Sequence, residues 1–384
     1  MADTILILGN GFDIAMNRKT KYTDFVEFEK QLFSNPDEKL QEFLQAKSIS
    51  IEKYKDNLYL KFINDNKGIL GDNWYNLEIM ISQLSEAVMY CKENTDLLYS
   101  KAYNEPIRQQ IESNMDKLRK DRNYCSKLYV ALLFFSLFYE RKWRDLEREV
   151  ALEKVNNEFL RHLDLLIELL EIYLSYLDYL DFEVQGIEAS PTALDVISDL
   201  SNSFVLNFNY TNTSAYLFGT VEERTHFIHG RIDLDRMFNR INTMVFGIED
   251  KENDVNSDLI PYQKYYQRIV KETGSKFEEF FKPNIELPDD VPDIRIASKN
   301  IIVFGHSVAP LDKEIFQKCF ELAEKGEYLY RFIFTYFDEP AKRSIIKNLA
   351  IILGKEKLVE LTGKRNVVFI KSDDKDGMKD VLLP

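Results

Sequence analysis

Histidine is scarce in this chain, with four in 384 residues, so the places where it does occur carry information. Cysteine is scarcer still. Cys91, Cys125 and Cys319 lie far apart and match no zinc or redox spacing. Their odd number argues against a disulfide framework and fits a reducing compartment. HExxH and cysteine pairs are absent, so no metal is expected. Positive charge is in deficit. Fifty Lys and Arg against 64 Asp and Glu give a net charge of −14. That balance counts against a dominant nucleic-acid or anionic-membrane surface, because phosphates are repelled on average. Long apolar runs are missing too. The longest, "LYVALLFFSLFY" at Leu128–Tyr139, falls short of the ~20 residues that span a bilayer and reads as a buried helix. "MADTILILGNGF" lacks the basic start and long apolar core of a signal peptide. The expectation is a cytoplasmic protein with no membrane partner.

The chain is longer than one compact core usually organises, which predicts two lobes or one domain with a large insertion. It opens as strand, tight loop and helix. Ile5–Leu8 is a continuous apolar run of the kind buried on both faces of a parallel sheet. Tyr22, Phe25, Val26, Phe28 and Phe33 then form a helical stripe. From about Asp37 to Phe182 strand-like runs disappear. There Leu152, Val155, Phe159, Leu163, Leu166 and Leu170 recur at intervals of three and four, the pattern of a long amphipathic helix. From Ser203 short β-branched and aromatic runs return: "FVLNFNYTN", "HFIHGRID", "TMVFGIED", "KNIIVFGHSVAP", "YLYRFIFTYFD" and "NVVFIKSDD". Helical stretches separate the later ones, and Gly354 closes one of them as a C-cap. "ELPDDVPDIRIASK" reads as an exposed loop. Strands alternating with helices imply a parallel, doubly wound sheet. The predicted fold is therefore α/β, a Rossmann-like parallel sheet with a large all-helical insertion. Its sheet domain is made of residues 1–34 and 200–384, and the insertion of residues 35–199.

In an open α/β sheet, ligands sit outside the carboxyl ends of the strands. Four polar clusters fall there: Gly9-Asn10-Gly11-Phe12-Asp13, Asn207 to Asn212, His226 to Gly230, and Gly305-His306-Ser307. They hold three of the four histidines, which points to a catalytic site; His162, in the insertion, reads as a plain helix residue. The first loop can bring a phosphate to backbone N–H groups at a helix N-terminus. As a dinucleotide fingerprint it is incomplete, because Ile14 stands where the third glycine of GxGxxG belongs. Asp13 reads equally as the cap of that helix. His229 precedes Gly230, a glycine that lets a ligand approach closely. His226 and His229, in an alternating strand, point to opposite faces, which weakens a shared metal. Ser307 follows Gly-His but lacks the second glycine of a nucleophile elbow, so a Ser-His-Asp hydrolase fails on spacing.

Taken in order, "LILGNGFDIA" with "TKYTDF", "NWYNLE" at Asn73–Glu78, "NFNYTN", "IHG" and "VFGHS" resemble the AbiH family of bacterial phage abortive-infection proteins. The resemblance runs from the first strand to about Asp312, with a divergent helical middle. More remotely, AbiH proteins resemble sirtuin-like NAD-binding domains. That likeness implies NAD as substrate. Gly9, Asn10, Gly11, Phe12, Asp13, Thr211, Gly230, Gly305, His306 and Ser307 would line its site. Asn209 would match the asparagine at the nicotinamide ribose, and His229 the active-site histidine. Asp13 and Thr211 depart from the usual serine and aspartate, and the four-cysteine zinc module is missing, which argues against deacylation. The implied reaction is hydrolysis of NAD to nicotinamide and ADP-ribose by an anti-phage effector. Two other readings stay open, a nucleotide-binding sensor without turnover and a nucleic-acid-targeting effector. A phage-derived protein trigger and a homo-oligomer are further expectations.

Overall fold

The computed structural model describes residues 3–65, 148–236, 240–248, 259–282 and 298–384. The expected helix at Leu128–Tyr139, the Asn73–Glu78 element, Cys91, Cys125 and the loop around Pro288 and Pro292 lie outside the described residues. By compactness the chain divides into two units. One holds residues 1–21, 171–244 and 271–384; the other holds residues 22–170 and 245–270.

The first unit is built on six strands. They are β1 (Asp3–Leu8), β2 (Phe204–Asn207), β3 (Thr225–Phe227), β4 (Ser298–Phe304), β5 (Leu329–Tyr336) and β6 (Val367–Lys371). All neighbours pair in parallel, in the order β3-β2-β1-β4-β5-β6. The strands read as apolar runs because helices cover both faces, and alternate residues feed two separate cores. Ile5, Ile7, Ile301, Val303, Phe332 and Phe334 pack on one face with helices Lys313–Lys325 and Glu339–Leu353. Leu6, Leu8, Ile302, Phe304 and Ile333 pack on the other with Phe12, Met16, Met378 and Val381. The strand order reverses between β1 and β4, so the loops after those strands, at Gly9 and Gly305, face each other at the switch point. Helix Glu339–Leu353 ends at Gly354, φ 82°, as its glycine predicts.

One expected strand does not form. "TMVFGIED" contributes only an isolated bridge, Ile248 to Gln263. The physical reason is local. The Gln267 carboxamide accepts from Phe246 N–H (3.0 Å) and donates to the Phe246 carbonyl (3.1 Å), so one side chain supplies what a neighbouring strand would have supplied.

The second unit consists mainly of helices among its described residues. Helix Tyr22–Ser34 buries Tyr22, Phe25, Val26, Phe28 and Leu32, the stripe visible in the sequence. The long helix Arg148–Asp178 bears out the three-and-four spacing, with Phe159, Leu163, Leu166 and Leu170 all buried. His162 is structural: its Nδ1 accepts from Leu58 N–H (3.3 Å), while Asn57 donates to the His162 carbonyl (2.7 Å) and accepts from Tyr59 and Leu60 to start the helix Leu58–Asp65.

Candidate functional site

The strand order puts the four polar clusters side by side, at the carboxyl ends of β3, β2, β1 and β4. Between β1 and β4 the loops meet backbone to backbone. Gly9 N–H donates to the Phe304 carbonyl (3.0 Å) and Gly11 N–H to the Gly305 carbonyl (2.8 Å). Gly305 sits at φ 70°, and a Cβ there would lie 2.1 Å from Phe12 N; one on Gly9 would lie 2.7 Å from His306 Cα. The glycines are thus required by this close passage of two loops. Phe12 N–H is also taken, by the Gly9 carbonyl (2.8 Å), and Asn10 donates its side-chain amide to the Thr20 carbonyl (3.2 Å). A phosphate at this loop would need donors other than Gly9, Gly11 and Phe12. Gly230, at φ 72°, has a similar duty: its Cβ would come 1.9 Å from the Thr243 carbonyl.

The loop after β2 folds on its own amides. Asn207 accepts from Asn209 N–H (2.9 Å) and donates to the Thr211 carbonyl (3.2 Å). Asn209, buried, donates its carboxamide to the Gly9 carbonyl (3.0 Å), so its side chain lies across to the end of β1.

Asp13 does not cap its helix. Asn10–Ala15 starts at Gly9 with no side-chain cap, and Asp13, 1% exposed, turns to Thr211, whose hydroxyl donates to it at 2.6 Å. The cap reading is corrected because Asp13 falls within the first helical turn rather than before it. Thr213 donates to Thr211 (3.1 Å) and accepts from Arg18 Nη1 (2.5 Å). The buried Arg18 guanidinium also holds Asp178 through Nη2 (2.5 Å) and Asp181 through Nε (2.8 Å), and lies over Phe182. Burial raises the Asp13 carboxyl above its ordinary range, against the opposing pull of Arg18 and the threonine hydroxyls. Burial likewise lifts Asp178 to about 6 despite its contact with Arg18, with the nearby Asp13 and Asp181 charges adding to the rise.

The histidines divide. His226 lies within β3, stacked on Phe277, with Nδ1 accepting from Phe277 N–H (3.2 Å) and Nε2 on the Thr273 carbonyl (2.8 Å). Both ring nitrogens are committed to backbone and burial lowers its pKa, so this ring is a neutral structural piece. Counting it with a catalytic cluster is corrected. His229 and His306 do converge, on one carboxylate. Asp312 Oδ1 is 3.0 Å from His229 Nε2, and Oδ2 is 3.5 Å from His306 Nε2. Phe208 packs edge-on against both rings. His306 Nδ1 accepts from Val308 N–H (2.8 Å). Val308, fully buried, stands at φ 55°, a left-handed conformation that costs a β-branched residue about 1–3 kcal/mol. Ser307 is exposed, and its carbonyl accepts from Asn348 (3.0 Å).

Sequence reading missed Asp312, Arg18, Thr213, Asp178 and Asp181. Asp312 stands at the N-cap position of helix Lys313–Lys325, where an acid is ordinarily read as a cap, yet it makes no cap bond. Arg18 sits in a run of basic residues that looks like solvated surface. Among the described residues no group of three His, Cys, Asp or Glu is arranged to hold a metal ion, and no helix is long and apolar enough to cross a membrane.

The doubly wound parallel sheet, with amide, imidazole and carboxylate groups gathered at adjacent strand ends, makes this an α/β protein. The chain belongs to the AbiH family: the family model described as "Bacteriophage abortive infection AbiH" matches residues 5–333, which span β1 through most of β5. Its role is accordingly in bacterial abortive infection against phage. No curated protein and no solved structure matches the chain.

Proposed function

We propose that this protein exerts its anti-phage role by hydrolysing NAD at the nicotinamide–ribose bond. The observation that carries the reading is the placement of Asn209 and His229 at the ends of adjacent strands. Asn209 is fixed to the Gly9 carbonyl and His229 to the Asp312 carboxylate. In the reaction the C1′–N bond breaks, its electron pair neutralises the pyridinium nitrogen, and nicotinamide leaves. Water adds to C1′ and gives up a proton, and ADP-ribose results. The transition state is oxocarbenium-like and needs little nucleophile strength, so positioning and electrostatics dominate. Asn209 orients the ribose or the water, and His229 takes the water proton. NAD lies in the crevice formed by the loops after β1, β2 and β4. Its phosphates then draw their donors from groups other than Gly9 and Gly11 N–H, which are already spent.

The test is free nicotinamide measured after incubation of purified protein with NAD, with and without phage extract. Release is expected from the wild type and loss from both Asn209→Ala and His229→Ala. Release surviving unchanged in both variants sinks the mechanism. Measurable NAD binding with no release under any trigger makes the protein a nucleotide sensor instead.

A further inference from the structure

We propose that Asp312 is the positioning residue of this site, its carboxylate setting the tautomer of His229 while His306, whose tautomer Val308 fixes, faces the other oxygen. Val308 N–H can only donate, so His306 Nδ1 must be the acceptor, and the ring proton therefore sits on Nε2, facing Asp312 Oδ2. His229 faces the other oxygen with its own Nε2, at 3.0 Å. Accepting from His229 Nε2–H favours the carboxylate as an anion, and its place at the start of the 13-residue helix Lys313–Lys325 favours that charge further. The arrangement has a chemical consequence. With Nε2–H committed to Asp312, neutral His229 keeps its lone pair on Nδ1. When that nitrogen takes a proton, the imidazolium forms against a fixed counter-charge inside a buried site. His306 Nε2 lies 3.5 Å from the second carboxylate oxygen. The left-handed Val308 is what turns the N–H onto His306.

Its catalytic consequence rests on the NAD-hydrolase reading, but the geometry can be tested without it. The chain has four histidines, so nitrogen-15 histidine labelling of the full-length protein gives a sparse spectrum, assignable with His229→Gln and His306→Gln. Long-range proton–nitrogen correlation should report the Nε2–H tautomer for both rings. In Asp312→Asn the amide NH2 must face one of them. His306 cannot change, because Val308 N–H still requires its Nδ1, so His229 should switch to Nδ1–H. If the wild type releases nicotinamide, kcat in Asp312→Asn should fall on the order of 10²-fold with KM little changed, the low end for a general base held in the wrong tautomer. An Nδ1–H tautomer for His229 in the wild type, or an unaltered His229 tautomer in Asp312→Asn, overturns the proposal. So does a kcat unchanged in Asp312→Asn when the wild type turns over. Absence of nicotinamide release from the wild type removes the hydrolase reading alone, and the tautomers still decide the role of Asp312.

Discussion

Replacing Asp178 by asparagine should make the protein less sensitive to rising pH. Three carboxylates, Asp13, Asp178 and Asp181, surround the single guanidinium of Arg18, so full ionisation leaves excess negative charge in a buried place. Burial lifts the Asp178 carboxyl from 3.8 to about 6. A raised carboxyl means that the folded state holds the proton more tightly than the unfolded one. The stabilising contribution is therefore complete below the unfolded value and is lost as pH climbs through the folded one. A shift of about two units corresponds to about 3 kcal/mol in all, of which roughly 2 kcal/mol is lost between about pH 4.5 and 7.5. The carboxamide that replaces the acid keeps an oxygen for Arg18 Nη2 and has no proton to lose. Urea unfolding of wild type and Asp178→Asn, followed by circular dichroism across that range, reads the difference directly. The variant should gain about 2 kcal/mol on the wild type from the acid end to the neutral end. A flat difference, or one of opposite sign, would show that Asp178 is ionised throughout and that the crowding argument is wrong.

Other substitutions probe the same region. Gly305→Ala should destabilise by at least ~2 kcal/mol, since the new Cβ meets Phe12 N at 2.1 Å and the backbone sits at φ 70°; a melting temperature unchanged from wild type would contradict the close-passage account. Arg18→Lys should cost roughly 3 kcal/mol, because an ammonium cannot direct three donors at Thr213, Asp178 and Asp181 together; denaturant midpoints near wild type would refute this. Asp13→Asn should fold normally, as asparagine resembles the protonated acid that burial favours, so abolished nicotinamide release with intact NAD affinity would assign Asp13 to chemistry, and lost thermal stability would assign it to structure.

Much of the architecture was legible locally. The apolar runs at β1, β2, β4, β5 and β6 have the composition of strands covered on both faces, and the glycine after Leu353 announces the end of its helix. Periodicity located the helices Tyr22–Ser34 and Arg148–Asp178 for the same reason: each buries one stripe. The run around Phe246 misled, because a composition suited to a strand says nothing about whether a partner strand or a glutamine side chain will meet its backbone.

The scarcity of histidine and the polar residues closing each strand were properties of the sequence alone, and they marked the carboxyl edge of the sheet as the place to look. Which partners those groups meet was set by contacts across long separations. Asp312 reaches back 83 residues to His229, and Asp13 accepts from Thr211, 198 residues away. An aspartate before a helix looks the same whether it caps that helix or holds an imidazole. A histidine at a strand end looks the same whether its nitrogens meet backbone, as in His226, or a carboxylate, as in His229. Only the strand order, which sets the loops after β1 and β4 against each other, decided between those alternatives. Hydrogen bonds act over about 3 Å, and nothing in one stretch of chain records which distant stretch will come that close.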